Sequence, residues 1–105
     1  MQFEWDENKR QANIEKHGID FADAVKIFDG FIYKFQDTRA DYGEDRYVSV
    51  GLLNGLEISV VHTTRGDKER IISVRRARIK ERKTFYEEEA KNNGNRLGEA
   101  QNDER

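Results

Sequence analysis

The 105-residue chain has no cysteine and no proline. Without cysteine there can be neither a disulfide framework nor a thiolate metal site, so the fold must rest on packing and hydrogen bonds. No proline hinge, internal repeat or low-complexity linker argues for a second domain. No stretch approaches the ~20 consecutive apolar residues that a membrane span requires. The opening Met1-Gln2-Phe3-Glu4-Trp5-Asp6 lacks the basic and then apolar run of a secretory signal, so a soluble protein of the reducing cytosol is expected. Histidine is limited to His17 and His62, far apart in sequence. No glycine-rich phosphate loop and no serine in a recognisable nucleophile context is present. Chemistry, if the chain performs any, must use Arg, Lys, Glu, His and Tyr, a menu that points toward phosphodiesters. No cofactor is expected.

What the chain has in abundance is charge, and it is unevenly spread. The net charge of -2 conceals 6 Lys+Arg against 11 Asp+Glu in residues 1–45, and 9 against 3 in residues 62–85. Local clusters rather than totals set binding fields, so one element of the fold is strongly basic. The length suits one domain with a modest core, expected over residues 1–91. Residues 92–105 are polar, with Leu97 the one large apolar side chain, and read as a mobile tail.

Phe3-Glu4-Trp5 alternates as a short strand would, and Asp6 is placed to cap a helix running to about Lys16. Gly18 suits the left-handed position that ends helices. Asp20 then caps a second helix, in which Phe21, Ala24, Val25 and Phe28 share one face at i, i+3, i+4 and i+7. The middle of the chain reads as β: a strand over 31–36, a charged loop over 37–45, and a strand over 47–53. Asn54-Gly55, the strongest two-residue hairpin signal, joins this to a strand over 56–64, and the last strand spans 69–76. Ala, Glu, Lys and Arg dominate from Ala77, favouring a helix to about Lys91. The order β-α-α-β-β-β-β-α implies an α+β design, a mostly antiparallel sheet with its helices packed on one face and the other face open to a ligand.

Alternation along the last strand separates Arg70, Ile72, Val74 and Arg76 from Glu69, Ile71, Ser73 and Arg75. The first set is the better core face. On the strand before it Ile58, Val60 and His62 look inward, so Arg65, Glu69, Ser73 and Arg75 are expected on the open face. Arginines flanking a carboxylate suit RNA cleavage without a metal, because a rigid, permanently charged fork matches the phosphate oxygens on which charge builds as the 2′-hydroxyl attacks. A base must take the 2′-hydroxyl proton and an acid must protonate the departing 5′ oxygen. Glu69 or His62 is the candidate base; Tyr86, Lys83 or an arginine is the candidate acid.

Each of these residues also has an ordinary structural reading. Basic residues at a strand-to-helix junction commonly form a solvated rim. His62 on an apolar strand face is commonly a satisfied core histidine, Tyr86 shares a helical stripe with Ile79 and Ala90, and His17 is placed to complement a helix C-terminus. The loop from Asp37 to Asp45 resembles a solvated loop. A rival function is a non-catalytic RNA- or partner-binding module acting as a co-repressor. A third is a metal-dependent nuclease using Asp37, Asp41, Glu44 and Asp45 with Mg²⁺.

Five blocks also carry a family likeness. They are Phe3-Glu4-Trp5-Asp6-Glu7-Asn8-Lys9; Ala12-Asn13-Ile14 with Lys16-His17-Gly18-Ile19; the helix from Phe21 to Phe28; Asp41-Tyr42-Gly43-Glu44-Asp45-Arg46; and Thr64-Arg65-Gly66-Asp67 leading to Arg70-Ile71-Ile72-Ser73-Val74-Arg75-Arg76-Ala77. In this order, over residues 3 to about 87, the chain resembles the BrnT toxins of type II toxin-antitoxin systems. The resemblance implies a RelE-like ribonuclease fold and growth arrest by RNA cleavage. It also implies neutralisation by a BrnA-type antitoxin, whose ribbon-helix-helix part would supply any binding to operator DNA. On that reading the catalytic candidates are Arg65, Glu69, Arg75, Arg76 and His62, and the RNA-binding candidates are Arg70, Ser73, Arg78, Lys83 and Tyr86.

Overall fold

A computed structural model describes the backbone of residues 1–101 and the side chains of residues 1–93. Strand β1 (Gln2–Trp5) leads into helix α1 (Glu7–His17), which Asp6 caps by accepting from the Asn8 and Lys9 amides at 2.8 and 3.2 Å. Gly18 ends α1 at φ 71°, its N–H returned to the Ile14 carbonyl, a left-handed stop that glycine adopts without a Cβ penalty. Asp20 caps helix α2 (Phe21–Ala24), which tightens into a 3₁₀ turn over Val25–Asp29. The second helix is therefore not one continuous amphipathic element. Phe21 and Ala24 are buried as the periodicity requires, but the tighter winding buries Ile27 while Val25 and Phe28 are only partly covered.

Four strands follow: β2 (Tyr33–Gln36), β3 (Tyr47–Leu53), β4 (Leu56–Arg65) and β5 (Lys68–Arg76). Asn54 and Gly55, at φ 51° and 83°, make the two-residue turn between β3 and β4. The sheet order is β1-β5-β4-β3-β2, with every pairing antiparallel except β1 with β5. The first strand thus lies beside the last, and its register on β5 ends with Trp5 opposite Ile71. Farther along β5, the Val74 amide donates to Asn13 Oδ1 at 3.0 Å, while Asn13 Nδ2 donates to the Ile19 carbonyl at 2.9 Å. One buried asparagine on α1 thereby satisfies the sheet edge where β1 stops and ties the helix to it.

Helices cover both faces of the sheet, not one. Ile58, Val60, Ile71 and Val74 pack with Ile19, Phe21, Ala24 and Ile27 beneath α1 and α2. Val48, Val50 and Val61 pack with Ala77 and Phe85 beneath helix α3 (Ile79–Gln101). Successive residues Val60 and Val61 belong to opposite cores, as strand alternation dictates. Gly51 lies on the α2 side, where an added Cβ would stand 2.8 Å from Ile27 Cβ. The face expected to be open is thus roofed by α3, which continues past Lys91 to Gln101. The polar tail expected over 92–105 falls, from residue 94 for side chains and 102 for backbone, outside the described residues.

The expected alternation of β5 also fails, at one residue. Val61 pairs with Ser73 but His62 pairs with Ile71, so Ile72 is an extra residue in the ladder. Such a bulge reverses the sense of alternation on either side of it. Glu69 and Ile71 therefore join Val74 and Arg76 on the α1 side, leaving Arg70, Ser73 and Arg75 on the α3 side. The loop over 37–45 is not uniformly solvated either: Asp37 is buried and held by Arg39 and Tyr42.

Candidate active site

The bulge separates the residues expected to share a site. On the α1 side, His62 is 2% exposed and has both ring nitrogens engaged. Nδ1 lies 2.7 Å from Glu69 Oε1 and Nε2 lies 2.8 Å from Ser49 Oγ. A carboxylate only accepts, so Nδ1 carries the proton and Nε2 accepts from the serine hydroxyl. Thr64 donates to the other Glu69 oxygen, and the ring meets Phe28 edge-on at 5.3 Å. Burial holds the His62 pKa below its ordinary value, with the bond and charge of Glu69 opposing. A cavity of about 230 Å³ opens onto this network, lined by Ser49, His62, Glu69 and Lys34 together with the apolar Met1, Phe28 and Ile32. The arrangement matches a satisfied core histidine.

On the α3 side a different cluster forms, around a residue that sequence reasoning did not select. Arg75 presents its fork to Glu81, with Nη1–Oε1 at 2.7 Å and Nη2–Oε2 at 2.9 Å. Oε1 also accepts from the Arg78 amide and from Ser59 Oγ, each at 2.9 Å. Burial would raise the Glu81 pKa, but the guanidinium, the amide and the hydroxyl together hold it at about 2. Four donors converging on two oxygens form the kind of cradle that suits a phosphate. The bond from the Arg78 amide shows what placed Glu81: an acid in the first turn of α3 reaching back to an orphan N–H, as in half of a capping box. That acid, three residues after Arg78 in a basic run, was the available signal.

Two contiguous cavities of about 240 and 310 Å³ open beside this cluster and share Phe35, Arg78 and Glu81 in their walls. The first also contains the Asp37–Arg39 fork, bonded at 2.8 Å through both nitrogens. The bond from Arg39 is the main reason that the Asp37 pKa falls to about 2. The second cavity contains Tyr33, Lys80 and Thr84. Among the described residues, no acid pairs with the side chain of Arg78 or Lys80.

The remaining candidates are dispersed. Arg65 sits at the β4–β5 turn and reaches Glu44 at 3.3 Å. Arg70 reaches Glu4 at 3.3 Å. Arg76 is exposed on the α1 side of the sheet, beyond the bulge from Glu69. Ser73 is half-buried opposite Val61, and Lys83 is exposed on α3. Tyr86 donates to Glu57 at 2.7 Å, a bond that raises the Tyr86 pKa. The acids of the 37–45 loop do not converge: Asp37 binds Arg39, Asp41 accepts from the Gly43 amide, and Glu44 binds Arg46 and Arg65. Among the described residues no three His, Asp or Glu side chains gather to hold a metal ion, and no helix is long and apolar enough to cross a membrane.

A small α+β domain whose basic strand-to-helix junction opens into a groove with unneutralised cations belongs to the class of proteins equipped to grip a phosphate chain. A family model described as the ribonuclease toxin BrnT of type II toxin-antitoxin systems matches residues 5–81, a span that includes the whole Ser59–Arg75–Arg78–Glu81 cluster. The chain belongs to the BrnT family of ribonuclease toxins. No curated protein matches it. Membership implies an RNA substrate and an antitoxin partner.

Proposed function

We propose that the protein cleaves RNA without a metal ion, by attack of a 2′-hydroxyl on the adjacent phosphorus, in the groove between β2 and the start of α3. The observation that carries this reading is the Arg75–Glu81 fork with Ser59 and the Arg78 amide converging on one carboxylate. A phosphodiester offers the same donors the oxygens they now find on Glu81. As Arg75 and Ser59 turn to the phosphate, Glu81 loses the bonds that hold its pKa at about 2 and gains basicity. It then takes the 2′-hydroxyl proton, while Arg75 and Arg78 carry the charge that builds on the nonbridging oxygens. The 5′ oxygen leaves with a proton from water, since Lys83 and Tyr86 line neither cavity of the groove and the Tyr86 hydroxyl is given to Glu57.

This reading retains Arg75 and Arg78 from the sequence-based candidates and transfers the base from Glu69 or His62 to Glu81. The antiparallel sheet with its basic last strand supports a RelE-like arrangement. A BrnA-type ribbon-helix-helix antitoxin would neutralise the toxin by placing an acidic segment over Arg78 and Lys80, in competition with RNA phosphate, and would itself supply contacts to operator DNA. The test is cleavage of a labelled RNA in chelator by wild type and by Glu81→Gln. Cleavage by wild type and a loss of about a hundredfold or more in the variant is the expected result. Unimpaired cleavage by Glu81→Gln overturns the assignment of the base.

A further inference from the structure

The second cavity of the groove contains two aromatic rings that the phosphate chemistry does not use. Tyr33 and Phe35, two residues apart on β2, point to the same face of the sheet, and their centroids lie 5.3 Å apart at a 34° tilt. Both pack partly on the Val48, Val50 and Phe85 core, and both are half-buried rather than sealed. Phe35 lines both cavities, and Tyr33 lines the one that contains Lys80. A strand whose outer residues only covered a core would have no need of cations lining a cavity with its rings. Here Arg78 and Lys80, without an acid partner among the described residues, border those rings.

We infer that Tyr33 and Phe35 are a base-stacking platform, which takes the nucleobase next to the phosphate held by Arg75 and Arg78. The inference rests on the ribonuclease reading above. The occupant is single-stranded RNA, since only an unpaired base presents a free π-face to a ring. Charge complementarity selects it: the groove joins an apolar aromatic floor to cationic walls, the pairing that a base with its flanking phosphate requires. Insertion between the rings needs about twice the ~3.4 Å base rise, more than their 5.3 Å separation provides. The base therefore lies on the pair, and every base is accepted to some degree because each has a π-face.

The test uses the full chain and a fluorescein-labelled 2′-O-methyl hexauridylate, which cannot undergo 2′-hydroxyl attack, beside an abasic hexamer of the same charge. Tyr33→Leu and Phe35→Leu are each expected to weaken the base-bearing oligomer about tenfold, to leave the weaker abasic binding unchanged, and Tyr33→Trp is expected to restore affinity. Lys80→Ala is expected to weaken both probes. Equal affinity of the leucine variants and wild type for the base-bearing probe, or equal affinity of wild type for both probes, overturns the platform. Wild-type cleavage of unmodified RNA, measured alongside, leaves the ribonuclease reading standing in that event. Neither cleavage nor binding by wild type overturns both. If the leucine variants do not fold, a 5-iodouridine hexamer crosslinked to wild type decides: adducts at Tyr33 or Phe35 support the platform, and adducts confined to other residues overturn it.

Discussion

The two faces of the sheet contain similar polar side chains and use them differently. Under α1 and α2, Ser49, His62, Glu69 and Thr64 form a network in which each group answers another and the histidine is 2% exposed, and the cavity beside it contains a single cationic side chain, Lys34, whose ammonium lies over the Tyr47 ring. Under α3, Ser59, Arg75 and Glu81 form an equally well satisfied network, but it opens into a groove with cations to spare. A serine and a carboxylate joined through a base do not by themselves make a reactive site. The balance of charge separates them, with Lys34 alone beside His62 and Glu69 but Arg78 and Lys80 in addition to Arg75 beside Glu81, because a phosphate displaces a carboxylate only where further positive charge is within reach.

The largest expected effect breaks or upholds this contrast directly. Arg75→Lys keeps the charge but loses the fork, and cleavage is expected to fall by about 10²–10³-fold, the usual consequence of removing a preorganised donor from a developing oxyanion. His62→Ala should leave the cleavage rate of the folded protein within about threefold. It should cost instead about 2–4 kcal/mol of stability through the vacated volume and the unpaired Glu69, read from urea unfolding. The reverse pattern, cleavage lost in a stable His62→Ala protein, would move the chemistry to the other face.

Much of the fold was legible because it depends on local chemistry. Asp6, Gly18, Asp20 and Asn54-Gly55 each act on their own neighbours, and they stand where the pattern puts them. The site was less legible because one long-range event decides it. The extra residue Ile72 lies in a run of apolar and polar residues that alternates either way, and nothing local marks the bulge. It moves Glu69 to the face of His62 and away from Arg75, which undoes the shared open face. Glu81 was missed for a related reason: an acid in a helical run of Lys, Arg and Glu resembles any solvated position until α3 is docked over Ser59.

A smaller effect separates the faces by pH. Glu81 has its folded pKa pulled down to about 2, so its contribution is complete above the unfolded value near 4.5 and is lost as pH falls toward 2. Converted by linkage this is on the order of 3 kcal/mol. The His62 pKa is also lowered, by burial, so protonation favours the unfolded chain and stability begins to decline once pH falls below about 6.5. Urea midpoints from pH 7.5 to 2.5 should therefore show an upper decline absent from a His62→Gln variant and a lower one reduced in Glu81→Gln. If Glu81→Gln removed the upper decline instead, the two networks would have been assigned the wrong roles.

The smallest effect concerns the residue at the β4–β5 turn. Arg65 was a catalytic candidate because strand alternation placed it beside Glu69 and Arg75, but its side chain is 52% exposed and pairs with Glu44 at 3.3 Å. An exposed ion pair of this kind contributes about 0–1 kcal/mol, screened by salt, and Arg65 lines neither cavity of the groove. Arg65→Ala is accordingly expected to change stability by no more than about 0.5 kcal/mol and cleavage of a short RNA by less than about threefold. A longer RNA at low salt should show a modest loss, since a remote cation still attracts a polyanion over a Debye length of about 10 Å at 0.1 M salt, and that loss should vanish as salt is raised. A salt-independent loss of a hundredfold on the short substrate would place Arg65 at the reacting phosphate and draw the active site along the sheet to the hairpin end.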